Sequence, residues 1–225
     1  MDAMTRLRRL NEDCAAYFDD LYAPDKKVYV FGDGDPAARV ALVGEAPGEQ
    51  ETLLGKPFVG RAGRNLDAFL AGTGLRRADL YITNAVKFRP VRTAPNGRTG
   101  NRPPTREEAA LFLPWLKKEL ALVSPALIVT LGNVPLRALT GRSLPIGRVH
   151  GQALEGEDGQ PLFALYHPAS VLYNPALRAT YAQDLAQLRQ KLDPGCVDMT
   201  APGWQEELAL CDEGVLEGYL CAGTL

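Results

Sequence analysis

The chain has 225 residues, 46% of them hydrophobic and 23% charged, with a formal net charge of −2. That length supports one domain of ordinary size with a sizeable core, and the composition is that of a water-soluble globular protein. No apolar run is long enough to cross a bilayer, which argues against a membrane-spanning helix.

In chain order, residues 11–21 have a helical pattern and 27–31 fit a short strand. Residues 40–43 form a fully apolar strand that runs into the Gly- and Pro-rich loop Gly44-Glu45-Ala46-Pro47-Gly48. Residues 64–70 read as a helix closed by Gly72 and Gly74. The next strand, 80–83, ends at Asn84. Residues 89–104 are rich in Pro, Gly, Arg and Asn and read as a loop. Thr105-x-x-Glu108 is a capping box that starts a helix running to about residue 122. A third strand at 127–131 precedes a helix at 133–139, and a fourth at 162–165 precedes a helix at 175–192. Apolar strands alternating with helices predict an α/β fold with a parallel sheet covered on both faces.

Residues 193–225 are set apart by charge. They hold seven acids and no Lys or Arg, with Trp204, Leu208, Cys211, Val215 and Tyr219 on one helical stripe. The expected division is therefore a domain at 1–192 and an acidic extension at 193–225, an amphipathic helix packed on the domain. An alternative is an acidic cover competing for the basic segment. That segment, 56–106, has eleven basic residues against two acids, which suggests a polyanion partner. The first ten residues contain three arginines but no hydrophobic segment, so no secretory signal is expected. Cys14, Cys196, Cys211 and Cys221 show no CxxC spacing, which favours reduced thiols in a cytoplasmic protein over disulfides or zinc.

Chemistry in α/β folds gathers at the carboxyl ends of the strands. The loop after residues 40–43 places Glu45 there among glycines. Gly55-Lys56-Pro57-Phe58-Val59-Gly60-Arg61-Ala62-Gly63 follows, and its glycines leave room for a closely approaching flat ligand.

These blocks resemble the uracil-DNA glycosylase superfamily, most closely its iron–sulfur "family four" branch. The resemblance rests on Gly44 to Glu51 and Gly55 to Gly63. It extends to Tyr81-Ile82-Thr83-Asn84-Ala85-Val86-Lys87, Asn101-Arg102-x-Pro104-Thr105-x-Glu107-Glu108, Leu131-Gly132-Asn133 and Tyr166-His167-Pro168. It implies a three-layer α/β/α sandwich with a central four-stranded parallel sheet. It also implies hydrolysis of the N-glycosidic bond of uracil in DNA.

The residues suit those roles chemically. The Asn84 amide can pair with O4 and N3–H of uracil, where cytosine presents a donor at the exocyclic position. Phe58 can stack on a flipped base, and Gly44 and Ala46 complete the uracil-binding set. Glu45 can place the attacking water and stabilise a cationic sugar; its alternative is a structural clamp on the loop N–H groups. His167 can donate to uracil O2 as charge develops there. Arg61, Arg89 and Arg102 are candidate phosphate contacts, and Leu172 is the candidate wedge into the vacated stack. Otherwise Phe58 is a core aromatic, Asn84 a turn former, and His150 structural or phosphate-facing.

Four departures stand out. The branch's four cluster cysteines align with Cys14, Tyr17, Phe88 and Phe112, so one thiol remains and no cofactor is expected. Residues 91–100 are inserted and resemble a loop in the branch that captures DNA covalently through a histidine. No histidine occurs there, and Ala46 stands where that branch has glutamine, so covalent capture is not expected. Thr52 stands where relatives often carry aspartate, and Tyr173 where they often carry arginine. The expected protein is a monomeric, metal-free uracil-DNA glycosylase acting on uracil-containing DNA. The alternatives are a uracil- or damage-binding protein and an enzyme of free nucleotides with the same base pocket.

Overall fold

The computed structural model describes residues 1–73 and 75–192; Gly74 and the acidic extension lie outside the described residues. In chain order the elements begin with α1 (Ala3–Leu21), β1 (Asp33–Gly34), β2 (Val40–Gly44), α2 (Glu49–Leu54) and α3 (Arg61–Thr73). A 3-10 turn at Arg77–Asp79 leads to β3 (Leu80–Asn84), then β4 (Val91–Thr93), β5 (Thr99–Asn101) and α4 (Arg106–Val123). There follow β6 (Leu127–Leu131), α5 (Asn133–Thr140), α6 (Ile146–Val149), β7 (Ala153–Glu155), β8 (Pro161–Leu165), α7 (Ser170–Tyr173) and α8 (Leu177–Lys191).

The four apolar strands pair in parallel in the order β3-β2-β6-β8. Short antiparallel strands β1 and β7 extend the two edges, giving six strands in all. Alternation along each strand splits its side chains between two cores. Val40, Leu42, Ile82, Val129 and Leu165 join Leu66 and Leu70 of α3 and Tyr181, Leu185 and Leu188 of α8. Ala41, Val43, Tyr81, Ile128 and Leu162 join residues of α1, α4 and α5 on the opposite face. The three-layer sandwich follows, with every side chain of β2, β3 and β6 buried. No helix among the described residues is long and apolar enough to cross a membrane.

Three sequence expectations need correction. The first helix starts at Ala3, eight residues early, because the Asp2 carboxylate caps it by accepting from the Thr5 N–H at 2.7 Å. Residues 27–31 are not a sheet strand. Val30 N–H instead bonds Lys87 O at 2.7 Å, with one bridge between Tyr29 and Phe88. The stretch 89–104 is not all loop, since β4 and β5 form a hairpin. Its turn is built by Gly97 N–H donating to Ala94 O at 2.9 Å, with Gly97 at φ +78°.

Candidate active site

The parallel order places β3 and β6 on opposite sides of β2, so successive crossovers diverge and leave a crevice at the strand ends. Glu45 follows β2, Asn84 ends β3 and His167 follows β8. A cleft of about 560 Å³ is lined by these three with Phe58, Ala46, Arg61, Arg102 and Leu172. Gly44, expected among the uracil-binding residues, is not part of this lining but lies against Asn84 and Phe58, which are. An added Cβ there would lie 2.4 Å from both Asn84 Oδ1 and Phe58 Cζ, so only glycine lets both side chains approach the backbone.

Phe58 is held in a costly conformation. Its φ is +54°, a region that phenylalanine enters at a cost of about 1–3 kcal/mol. Two neighbours enforce it. The Glu51 carboxylate accepts from the N–H groups of Gly48 at 3.1 Å, Val59 at 3.0 Å and Gly60 at 2.7 Å. Arg77 donates to Pro57 O at 2.6 Å and to Phe58 O at 3.0 Å, and is itself braced by Asp67. Neither Glu51 nor Arg77 was singled out in the sequence. Glu51 was legible only as the third helical residue after Gly48, the capping-box position.

Glu45 therefore does not clamp the loop. Its carboxylate accepts no hydrogen bond from the described residues, and burial pushes its pKa up, with Arg137 opposing the shift. Thr52, at the expected aspartate position, donates its hydroxyl to Gly48 O at 2.8 Å and so braces the same loop.

Asn84 is 2% exposed, and its amide has no hydrogen-bond partner among the described residues. Its backbone is fixed from behind. The buried Lys87 ammonium donates to Asn84 O at 2.8 Å and to the Thr83 hydroxyl at 2.7 Å, and pairs with Glu119. An amide on a rigid strand end that opens on a cleft and makes no hydrogen bond within the described protein is available to a ligand.

His167 is equally committed. Its Nδ1 accepts from the Ala169 N–H at 3.1 Å, so in the neutral ring Nε2 carries the proton. Burial pushes its pKa down to about 4. The site thus holds a neutral donor whose ring centroid lies 5.8 Å from that of Phe58.

The candidate DNA contacts divide. Arg61 is exposed on the cleft rim and Leu172 is 36% exposed beside it. Arg89 is engaged with Asn101 at 2.7 Å and Glu49 at 3.3 Å, and Arg102 makes a bidentate pair with Glu108 at 2.6 Å. Tyr173, next to Leu172, is 88% exposed. His150 lies outside the cleft lining, with Nδ1 2.8 Å from Asp184 Oδ2.

The positions that align with cluster ligands do not fit a cubane. Phe18 stacks on Phe112 at 3.8 Å, Phe88 lies 5.8 Å from Phe112, and Tyr17 meets Phe18 edge-on at 5.1 Å. Rings occupy the space where thiolates would converge. Cys14 is buried, and desolvation pushes its thiol up to about 12, which disfavours the thiolate a metal needs. No group of three or more potential metal-ligating side chains occurs among the described residues.

Comparison with known proteins agrees with this geometry. Residues 31–193 match the model of the uracil DNA glycosylase superfamily. The chain is 40% identical to the type-4 uracil-DNA glycosylase of Pyrobaculum aerophilum, over 75% of this chain and 88% of that one. It is 41% identical to the type-4 uracil-DNA glycosylase of Archaeoglobus fulgidus, over 72% and 81% of the two chains. The crystal structure of wild-type Pedobacter heparinus SMUG2 shares the fold, with a TM-score of 0.50, 17% identity and coverage of 69% and 76%. With strand ends, cleft and relatives in agreement, the chain belongs to the uracil DNA glycosylase superfamily.

Proposed function

We propose that the chain is a monofunctional DNA glycosylase that hydrolyses the bond between uracil and deoxyribose and leaves an abasic site. One observation carries the reading: Asn84, 2% exposed and with an amide that makes no hydrogen bond among the described residues, opens on the same cleft as Phe58, Glu45 and His167. A base can reach such a pocket only by leaving the stack. Asn84 then accepts from N3–H and donates to O4. In that orientation of the amide, cytosine would set donor against donor, a mismatch costing roughly 1–3 kcal/mol. Phe58 stacks on the flipped ring.

Breaking the C1′–N1 bond leaves its electron pair on uracil, with much of the charge on O2. His167 Nε2–H meets that charge as a neutral donor, already oriented by Ala169. The sugar becomes cationic, and the Glu45 carboxylate stabilises it and steers water to C1′. The water oxygen bonds C1′, its proton passes to Glu45 or solvent, and the uracil anion later takes up a proton. No step requires a metal or cofactor.

The test uses single- and double-stranded oligonucleotides with one uracil, treated with alkali after incubation. The proposal expects strand cleavage at the uracil and an equal amount of free base. Tight binding without release would select a uracil-recognition protein instead.

A further inference from the structure

The hairpin of β4 and β5 leaves the wall of the cleft: Pro90, Asn101 and Arg102 line the cleft at the hairpin's base. Its strands are exposed, with only Gly100 partly covered, so no packed core accounts for it. A two-stranded ribbon is marginal in water on its own. This one is tied down at its root. Arg102 N–H donates to Pro90 O at 3.1 Å, Arg102 Nε to Val91 O at 3.2 Å, and Arg89 holds Asn101.

The register sorts its side chains. Arg92 pairs with Gly100, and Thr93 with Thr99. Ala94 N–H bonds Arg98 O at 2.9 Å, which continues the ladder one step further. Alternation therefore puts Arg92, Ala94, Arg98 and Gly100 on one face of the ribbon. The cross-strand neighbour of each arginine is a small residue, so nothing shields either guanidinium. The two lie two steps apart along the ribbon, about 7 Å, a distance suited to successive phosphates of one strand. No acid occurs between Asp79 and Glu107. Among the described residues, neither Arg92 nor Arg98 has a carboxylate partner, whereas Arg89 and Arg102 each have one.

We infer that the hairpin is a second grip on the DNA backbone, in which Arg92 and Arg98 take phosphates beside the base-binding cleft. Arg89 and Arg102 hold the root of the grip and are not its contacts. The inference rests on the proposed action on DNA, but its test does not need catalysis.

The experiment measures binding of the full chain to a uracil-free fluorescent duplex across a salt series, together with direct binding of free uracil by calorimetry. The R92A/R98A variant is expected to lower the slope of log K against log salt by about 2. It is expected to weaken duplex binding roughly tenfold or more at about 0.1 M salt. The R92K/R98K variant keeps the slope, and binding of free uracil is unchanged in both. An unchanged slope with affinity within twofold in R92A/R98A overturns the inference, whether or not the protein releases uracil. A slope lost equally in R92K/R98K also overturns it, because charge would not then be what binds.

Discussion

The Glu51 carboxylate accepts from the Gly60 N–H at 2.7 Å, and through this bond the loop after β2 is fastened to the loop that carries Phe58. Two glutamates six residues apart thereby take opposite jobs. Glu51 is saturated with backbone donors, and Glu45 has none from the described residues. Replacing Glu51 with Ala is expected to cost roughly 2–4 kcal/mol of stability, since three buried or half-buried N–H groups lose their acceptor. Replacing Glu45 with Ala is expected to leave the melting temperature unchanged or raised, because a desolvated carboxylate is removed, while uracil release collapses. Thermal melts of the two variants beside their excision rates check this inversion.

Asn84→Ala is expected to reduce kcat/KM for uracil release by roughly 100-fold or more, through loss of two hydrogen bonds in a buried site. Its melting temperature should barely move, because the amide has no partner within the described protein to lose. A large melting shift with modest loss of activity would make Asn84 a structural residue.

The pH profile carries a signature of both titratable groups. His167 remains neutral down to about pH 4, so kcat/KM is expected to show no inflection near 6.5. The acid limb should come from Glu45 and lie above the ordinary carboxylate value of 4.5, the direction in which burial moves it. Stability follows from the same shift. An unfolded histidine binds its proton near 6.5 and the folded one near 4, so the unfolded state binds more protons in that window. Folding free energy contributed by His167 is therefore present above pH 6.5 and is lost progressively as pH falls towards 4. Kinetic profiles and pH-dependent melts of wild type and His167→Gln separate the two groups.

The aromatic cluster yields a prediction about metal. The purified full-length protein is expected to be colourless and to hold no stoichiometric iron. Cys14→Ala should leave uracil release within about twofold, a surface-like effect on activity despite its buried position. Phe112→Ala should destabilise by about 3–5 kcal/mol, because Phe112 is fully buried and packs on Phe18 and Phe88. Iron analysis and melts read both outcomes.

Much of the site was visible in the chain because strand ends and glycines mark it. The apolar runs at β2, β3, β6 and β8 fixed the sheet, and the residues that end or follow three of them, Glu45, Asn84 and His167, meet in one cleft. What escaped was set by contacts distant in sequence. Arg77 reaches the carbonyls of Pro57 and Phe58 from about twenty residues away, and no local pattern announces that. The Lys87–Glu119 pair joins the segment just after β3 to α4, and only the fold brings them together. The hairpin was hidden by composition. Its Pro, Gly, Arg and Asn content reads as loop, and strands of three exposed residues, Val-Arg-Thr and Thr-Gly-Asn, are too short to show an apolar alternation. Likewise the early start of α1 depended on one capping carboxylate, Asp2.

The central claim is that Asn84, Phe58, Glu45 and His167 form a uracil-excising pocket. The most direct measurement is the release of free base from matched oligonucleotides carrying uracil or cytosine, by wild type, Asn84→Ala and Glu45→Ala. The account predicts uracil release by wild type, none detectable from cytosine, and loss of release in both variants with the fold retained. Full activity in both variants, or equal release of cytosine by wild type, would contradict it.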